Sequence, residues 1–367
     1  MGVGINLTDL ETLMSQLNGL EEHEKYTISN AIFLESFSEQ NIKNNFPTFG
    51  QVINGNKIPV IDMDSGYNGF VYVDGCKLPT CEVSAEWSEF QWCIKEIGCE
   101  VVICIKDLLP KFQVFWNTYR KLNEGDIASA FVQFIVELFQ QKHLRAEIRV
   151  SFFGVEGAEV DDVPQEEING CDGWIAQMQA IAGTDPSLTF EITENQGATV
   201  ADQTITDGKD VYDYLVKAYL EASKKPWFDV TKMKFIMNRS LAMALVAYLN
   251  TQSDTSALGC DCIDPDKVKN PRVHTWDNIQ FWGIPVESYP FEDYMKAQPY
   301  YYDGTKYTLF KNIIMLIRTD ALLLGYEDDE SLSQFRIGYD ERAREIYMQG
   351  SSLFGPAVSV PYFILGV

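Results

Sequence analysis

The chain has 367 residues, 46% hydrophobic and 13% aromatic, which supplies apolar surface for one or two large cores and excludes a disordered protein. Its 53 acidic against 29 basic side chains leave a formal net charge of -24, which repels phosphate backbones and excludes a dedicated nucleic-acid binder. The opening MGVGINLTDLETLM lacks a basic start and an apolar run, Asn6 breaks the myristoylation pattern, and no stretch reaches membrane-spanning length, so a soluble chain made in a cytosol is expected.

Taken in order, Leu7, Leu10, Leu13, Met14 and Leu17 mark a short amphipathic helix, and a second is predicted from Thr27 to Ser38. Both are short for independent helices, and the following QNIKNNFPTFG offers little to pack them, so this region reads as an arm that leans on something else. Two β-type runs follow, Ile53 to Ile61 and Phe70 to Val73, separated by the turn signals Asp64-Ser65-Gly66 and Asn68-Gly69. They predict a projecting hairpin with few large side chains to anchor it.

Glu86 to Ile105 is dense in β-formers and is expected to be a strand pair turning near Gly98. A helix over Lys106 to Leu122 comes next, with Pro110 in its first turn. Ile127, Phe131, Phe134, Ile135, Leu138, Phe139 and Leu144 then recur at helical spacing behind the candidate cap Asp126. That helix either runs on to Phe152 or gives way to a strand, because Glu147 to Phe152 also alternates.

The acidic passage VEGAEVDDVPQEEING is read as a structureless crossover between domains. Beyond it, helices are predicted at Trp174 to Ala182, Asp210 to Ser223 and Ser240 to Leu249. Strands are predicted at Lys234 to Met237, Ile279 to Val286 and Ile313 to Ile317, the last preceding Leu322 to Leu324. This alternation is α/β in kind. The chain ends in Arg344 to Tyr347 and Ala357 to Ile364, read as one long β-ribbon bent at Gly350, Gly355 and Pro356.

Chemistry is sparse. No phosphate loop, dinucleotide fingerprint, HExxH or GxSxG is present. His23, His143 and His274 stand apart and read as surface or helix-face residues. The eight cysteines show no CxxC spacing and are expected to be buried free thiols. Asp261, Asp264 and Asp266 lack calcium-loop spacing, and Glu327, Asp328, Asp329 and Glu330 read as a solvated turn. No catalytic, cofactor-binding or metal-ligating residue is assigned, and no cofactor is expected.

An arm, a projecting hairpin, a sheet with a long helix, an inserted α/β domain and a terminal ribbon together resemble the Hong Kong 97-like major capsid proteins of tailed bacteriophages. Ser151 to Gly154 (SFFG) looks like that family's spine-helix ending, and Asp172-Gly173-Trp174 like its entry to the inserted domain. IIMLIRTDALLLGYEDDE followed by REIYMQGSSLFGPAVSVPYFILG is similar to its closing segment.

The resemblance implies an α+β fold: an N-terminal arm over 1–48, an extended loop over 49–84, a peripheral domain with the spine helix over 85–164, an axial domain over 165–339, and a return ribbon of the peripheral domain over 340–367. It implies a non-enzymatic protein of the virion capsid, assembled in the bacterial host cytoplasm as pentamers and hexamers of an icosahedral head around double-stranded DNA. Leu10, Leu13, Ile58, Tyr67, Asn68, Phe70 and Tyr72 are the expected inter-subunit contacts. Other copies, a separate scaffolding protein suggested by the start at Met1, a portal and decoration proteins are the implied partners, with no membrane. Lys57 and Lys77 lie in the loop where some members form lysine–asparagine bonds, and no partner for them is identified. An encapsulin-like compartment shell, or an acidic α/β hydrolase or glycan-binding module, is the alternative.

Overall fold

The computed structural model describes residues 45–55, 57–62, 86–104, 107, 110–115, 127–161, 163–164, 168–251, 279–327, 333–340 and 342–367. Both predicted arm helices, the hairpin tip, His23, His274, the cap Asp126 and the aspartates at 261, 264 and 266 lie outside them. Of the 106–122 helix, residues 110–115 are helical.

The long helix α1 (Ile127–Phe153) is a single element of 27 residues. Phe131, Ile135 and Phe139 form its buried stripe, and Phe112 of the helical residues 110–115 meets Phe131 and Phe134 edge-on or tilted at 5.2 and 5.6 Å. The alternation from Glu147 to Phe152 does not produce a strand. Ala146, Glu147, Ile148, Val150, Ser151, Phe152 and Phe153 are all buried, and Arg149 is the one residue of this end that stays partly exposed, so the helix end has almost no polar face for a period to reveal. His143 is therefore not a surface residue: it is 1% exposed, with Nε2 3.2 Å from Glu147 Oε1 one turn on.

Two sheets flank the end of α1. The first joins β1 (Thr48–Phe49), β4 (Lys95–Cys104), β12 (Leu322–Tyr326), β13 (Ser333–Asp340) and the 14-residue β14 (Glu345–Val358). β14 pairs antiparallel with β4 along one edge and with β13 and β12 along the other; Phe354 faces both Lys95 and Tyr326. Gly350, Gly355 and Pro356, where a bend is expected, each keep a cross-strand partner within one continuous strand. Gly98 does not turn either: it lies inside β4 opposite Ser351. The strand before it, β3 (Glu86–Gln91), pairs instead with β2 (Lys57–Asp62) in a separate two-stranded ribbon.

The second sheet has the order β7-β15-β11-β8-β10-β9, built from β7 (Thr189–Phe190), β8 (Met233–Asn238), β9 (Ile279–Phe281), β10 (Ile284–Tyr289), β11 (Ile314–Arg318) and β15 (Phe363–Gly366). All six residues of β8 are buried, as a central strand covered on both faces requires. Helices α2 (Trp174–Ala182), α3 (Gly208–Ser223) and α4 (Arg239–Thr251) belong to this half, and a short α5 (Phe291–Lys296) follows β10. The predicted strand from Ile279 to Val286 is split by Trp282 and Gly283, whose positive φ values of 49° and 80° make a tight reversal that leaves Pro285 opposite Gln280. No described helix is long and apolar enough to cross a membrane.

Strand pairing links segments that the layout assigns to different domains. β12 and β13, placed in the axial domain, pair with β14 in the first sheet, and β15, placed in the return ribbon, pairs with β11 in the second. The chain thus crosses between the sheets at both ends of this region, and hydrophobic runs in Ile313 to Leu324 fit either sheet.

The acidic passage after α1 is likewise not a loose crossover. Strands β5 (Glu159–Val160) and β6 (Val163–Pro164) pair, and the chain returns to bond Val155 N–H to Ile168 O at 2.8 Å and Glu156 N–H to Asp172 Oδ1 at 2.8 Å. The cysteine expectation also fails at one pair. Cys93 and Cys171 form a disulfide across 78 residues, while Cys104 is free. Closing a loop of that length stabilises a fold by about 4 kcal/mol in the chain-entropy picture.

Gly325 and Gly355 face one another across β12 and β14. A Cβ on Gly325 would lie 2.8 Å from the ring of Trp92, itself 1% exposed, and one on Gly355 would lie 1.9 Å from Cys93 O. Gly355→Ala is therefore expected to lower the unfolding free energy of the free chain by about 1–3 kcal/mol through backbone displacement, read by chemical denaturation. A wild-type transition would place Trp92 and residues 92–94 elsewhere.

Candidate functional site

The chain leaves its undescribed first 44 residues at a built anchor. Phe46 is 3% exposed and packs on Trp174 at 4.5 Å and edge-on to Phe152 at 6.1 Å. Two residues later β1 adds a parallel rung to β12, with Thr48 opposite Leu324. The chain is thus core from Phe46.

The second half of the anchor is polar. Lys234, in the hydrophobic run MKFIMN, is 3% exposed; its ammonium donates to Asn45 O at 2.7 Å, lies 3.3 Å from Glu287 Oε2 and sits 3.9 Å from the Phe46 ring centroid. Asn45 Nδ2 donates to the Tyr289 hydroxyl at 3.0 Å, and that hydroxyl donates to Glu287 at 3.3 Å. Burial pushes the Lys234 pKa down while Glu287 pulls it up, and burial raises that of Tyr289, so the phenol stays protonated and able to donate. A buried ammonium is retained where carboxylate, carbonyl and ring face together replace its water. The arrangement fixes Asn45 and Phe46 against the second sheet; it contains no nucleophile–base pair aimed at an open cavity.

The projecting ribbon is the other candidate. β2 and β3 pair from Lys57↔Gln91 to Asp62↔Glu86, and Gly55 N–H bonds Trp92 O at 2.9 Å at the base. Asn54 Oδ1 accepts from Ile94 N–H at 3.0 Å, which ties the base to the buried Trp92 and Ile94. Beyond the base the described ribbon joins no other sheet. Around it, Phe49 and Ile53 are exposed at 42% and 60%.

Of the expected contacts, Ile58 lies on β2 opposite Phe90. Leu10, Leu13, Tyr67, Asn68, Phe70 and Tyr72 fall outside the described residues. Glu327 is exposed just after β12, and the rest of its acidic run lies outside the description. Sequence reasoning missed the anchor residues Asn45, Lys234, Glu287 and Tyr289. A lysine inside an otherwise apolar strand was the one available signal for Lys234.

Lys234→Met keeps most of the side-chain volume and removes the charge. Amide exchange at residues 45–49 is expected to accelerate by about 10- to 100-fold, the weight of a charge-assisted hydrogen bond, with β8 and β11 unchanged. An unaltered rate at 45–49 would mean that Phe46 and β1 hold the exit without Lys234.

No family model matches the sequence, and no curated protein matches it. Among solved structures the chain is similar to one from the satellite phage P4 procapsid including the size determination protein Sid, with 13% identity, a TM-score of 0.49, and coverage of 93% of this chain and 97% of that chain. It is similar to a chain of the cyanophage Pam1 capsid asymmetric unit, with 15% identity, a TM-score of 0.45 and coverage of 88% of each chain. A third likeness, to a structure from Gordonia phage Cozz, has 13% identity and a TM-score of 0.46 over 88% of this chain and 84% of that one.

Proposed function

We propose that this chain is a major capsid protein whose copies associate as pentamers and hexamers into the icosahedral head of a tailed double-stranded DNA phage. The observation that carries the reading is the pairing of a rigid body with an unfinished ribbon: β2 and β3 form a two-stranded sheet that joins neither main sheet in the description. An isolated two-stranded ribbon is marginal in water. Contacts with neighbouring copies supply the missing burial, and heterologous contacts of that kind close into rings and shells. Leu10, Leu13, Ile58, Tyr67, Asn68, Phe70 and Tyr72 are the proposed contact residues.

The shape supports the reading in a second way. A helix of 27 residues is about 40 Å long and braces both sheets from one end, so the body can transmit load across a shell wall. The charge of -24 suits a wall that encloses DNA without adhering to it. A separate scaffolding protein during assembly, a portal and decoration proteins are the proposed partners, and the virion capsid, assembled in the host cytoplasm, the proposed location.

Expression of the full chain, with its scaffold where one is required, is expected to yield closed shells by negative-stain microscopy. Deletion of residues 1–44 is expected to leave the thermal transition within a few degrees and to abolish shells; a deletion through Phe46 is unsuitable because it removes core. A monodisperse full-length monomer under all assembly conditions contradicts the shell reading and favours the hydrolase or glycan-binding alternative. Normal shells from the deletion contradict the role of the arm, and shells that enclose protein cargo in their native source in place of DNA favour the encapsulin-like alternative.

A further inference from the structure

The Cys93–Cys171 bond sits where three parts of the body meet. Cys93 lies in the short break between β3 and β4, at the base of the ribbon, and its carbonyl is in close approach to Gly355 of β14. Cys171 is 2% exposed and precedes α2 by three residues, with its carbonyl against Gly154 at the end of α1. The bond therefore joins the base of the ribbon to the junction of the long helix and the second sheet's helices, over a Cα separation of 5.9 Å. It is not sealed away. A groove of ≈ 850 Å³ between β4 and α1 has Lys95, Asn169, Gly170 and Cys171 on its wall, and Cys93 is itself half-buried.

The charges of that groove select what enters it. Among the described residues its ionisable lining is Lys95, Lys142 and Arg149 against Glu96 and Glu100, an excess of one positive charge on a chain of net charge -24. Lys142 Nζ also donates to Glu100 O, which holds one cation over the free edge of β4. An anionic molecule of a few residues' size is attracted here and repelled over most of the remaining surface.

We propose that Cys93 and Cys171 are a redox-controlled staple, closed by thiol–disulfide exchange with a small anionic disulfide that approaches through this groove. The Cys171 thiolate, the cysteine on the groove wall, attacks one sulfur of the small disulfide, forming a mixed disulfide and expelling one small thiolate. The Cys93 thiolate then attacks Cys171 Sγ, forming the Cys93–Cys171 bond and expelling the second. The two cysteines lose two electrons and two protons, and the small disulfide is reduced to two thiols that take them up. In a reducing compartment the body carries two thiols, and outside it the staple closes and stiffens the ribbon base. The inference concerns the free chain and does not depend on the shell reading.

The test uses the full chain, reduced and then exposed while folded to oxidised glutathione. Alkylation and peptide mapping are expected to show loss of the thiols of Cys93 and Cys171 into one cross-linked peptide pair, and the thermal midpoint is expected to rise by about 5 °C. The double variant Cys93→Ser, Cys171→Ser is expected to melt near the reduced wild type and to show no rise with oxidant. If that variant does not fold, the reduced-against-oxidised comparison of the wild type carries the test by itself. Full alkylation of Cys93 and Cys171 after oxidation, a different pairing in the peptide map, or coincident melting of reduced and oxidised chains would overturn the proposal.

Discussion

Everything described in this molecule converges on a backbone crossing with no room for side chains. Gly154 ends the long helix, Gly173 opens α2, and the two are hydrogen-bonded at 2.8 Å from Gly173 N–H to Gly154 O. A Cβ on Gly154 would lie 2.3 Å from Cys171 O, and one on Gly173 would lie 2.7 Å from Gly154 N. The closeness delivers Trp174 into the centre. Its ring meets Phe46 and Phe152, and its indole N–H donates to Leu323 O at 3.1 Å, so one side chain touches the arm exit, the helix end and β12. Burying a ring of that size contributes about 4–6 kcal/mol of transfer free energy before side-chain entropy is subtracted.

From that centre the two sheets are locked by exchange. The chain gives β11 to the second sheet, turns within Thr319 to Ala321 and gives β12 to the first, then returns β15 to pair with β11. Neither sheet can separate without stripping strands from the other, so the described halves behave as one body with one main core. A buried amide network adds to the lock: Asn195 Oδ1 accepts from Lys311 N–H and Asn312 N–H, and Asn238 bridges Lys311 O and Ile313 N–H. Buried hydrogen bonds of this kind fix one arrangement of the residues leading into β11. The contrast with the two-stranded ribbon is the basis of the functional reading. The body is held by two paired sheets, whereas the described ribbon β2–β3 joins neither of them.

Much of this was legible in the sequence, for physical reasons that differ by element. Trp174 to Ala182 and Ile313 to Ile317 were placed to within a residue because strong apolar patterns bounded by glycine or charge have one reading. The expectation of α+β architecture with a long helix held. What failed was pairing. Gly98 reads as a turn, yet it sits within β4 opposite Ser351, because strand pairing far along the chain decides where a glycine turns. The sheet allegiance of β12, β13 and β15 depends on contacts far apart in sequence, which local periodicity does not encode. The anchor at Lys234 was hidden for the same reason: Asn45 and Lys234 are 189 residues apart. The expected ribbon-tip and arm contacts fall outside the described residues.

The central claim, that the ribbon completes its burial on other copies, is tested most directly by hydrogen exchange on the amides of Lys57–Asp62 and Glu86–Gln91 in the free chain and in assembled material. The account predicts exchange near the unprotected rate in the free chain and protection by at least about a hundredfold on assembly, while β8 and β14 are protected in both. Strong protection of the ribbon already present in a stable, solitary chain, with no further change on assembly, would contradict it.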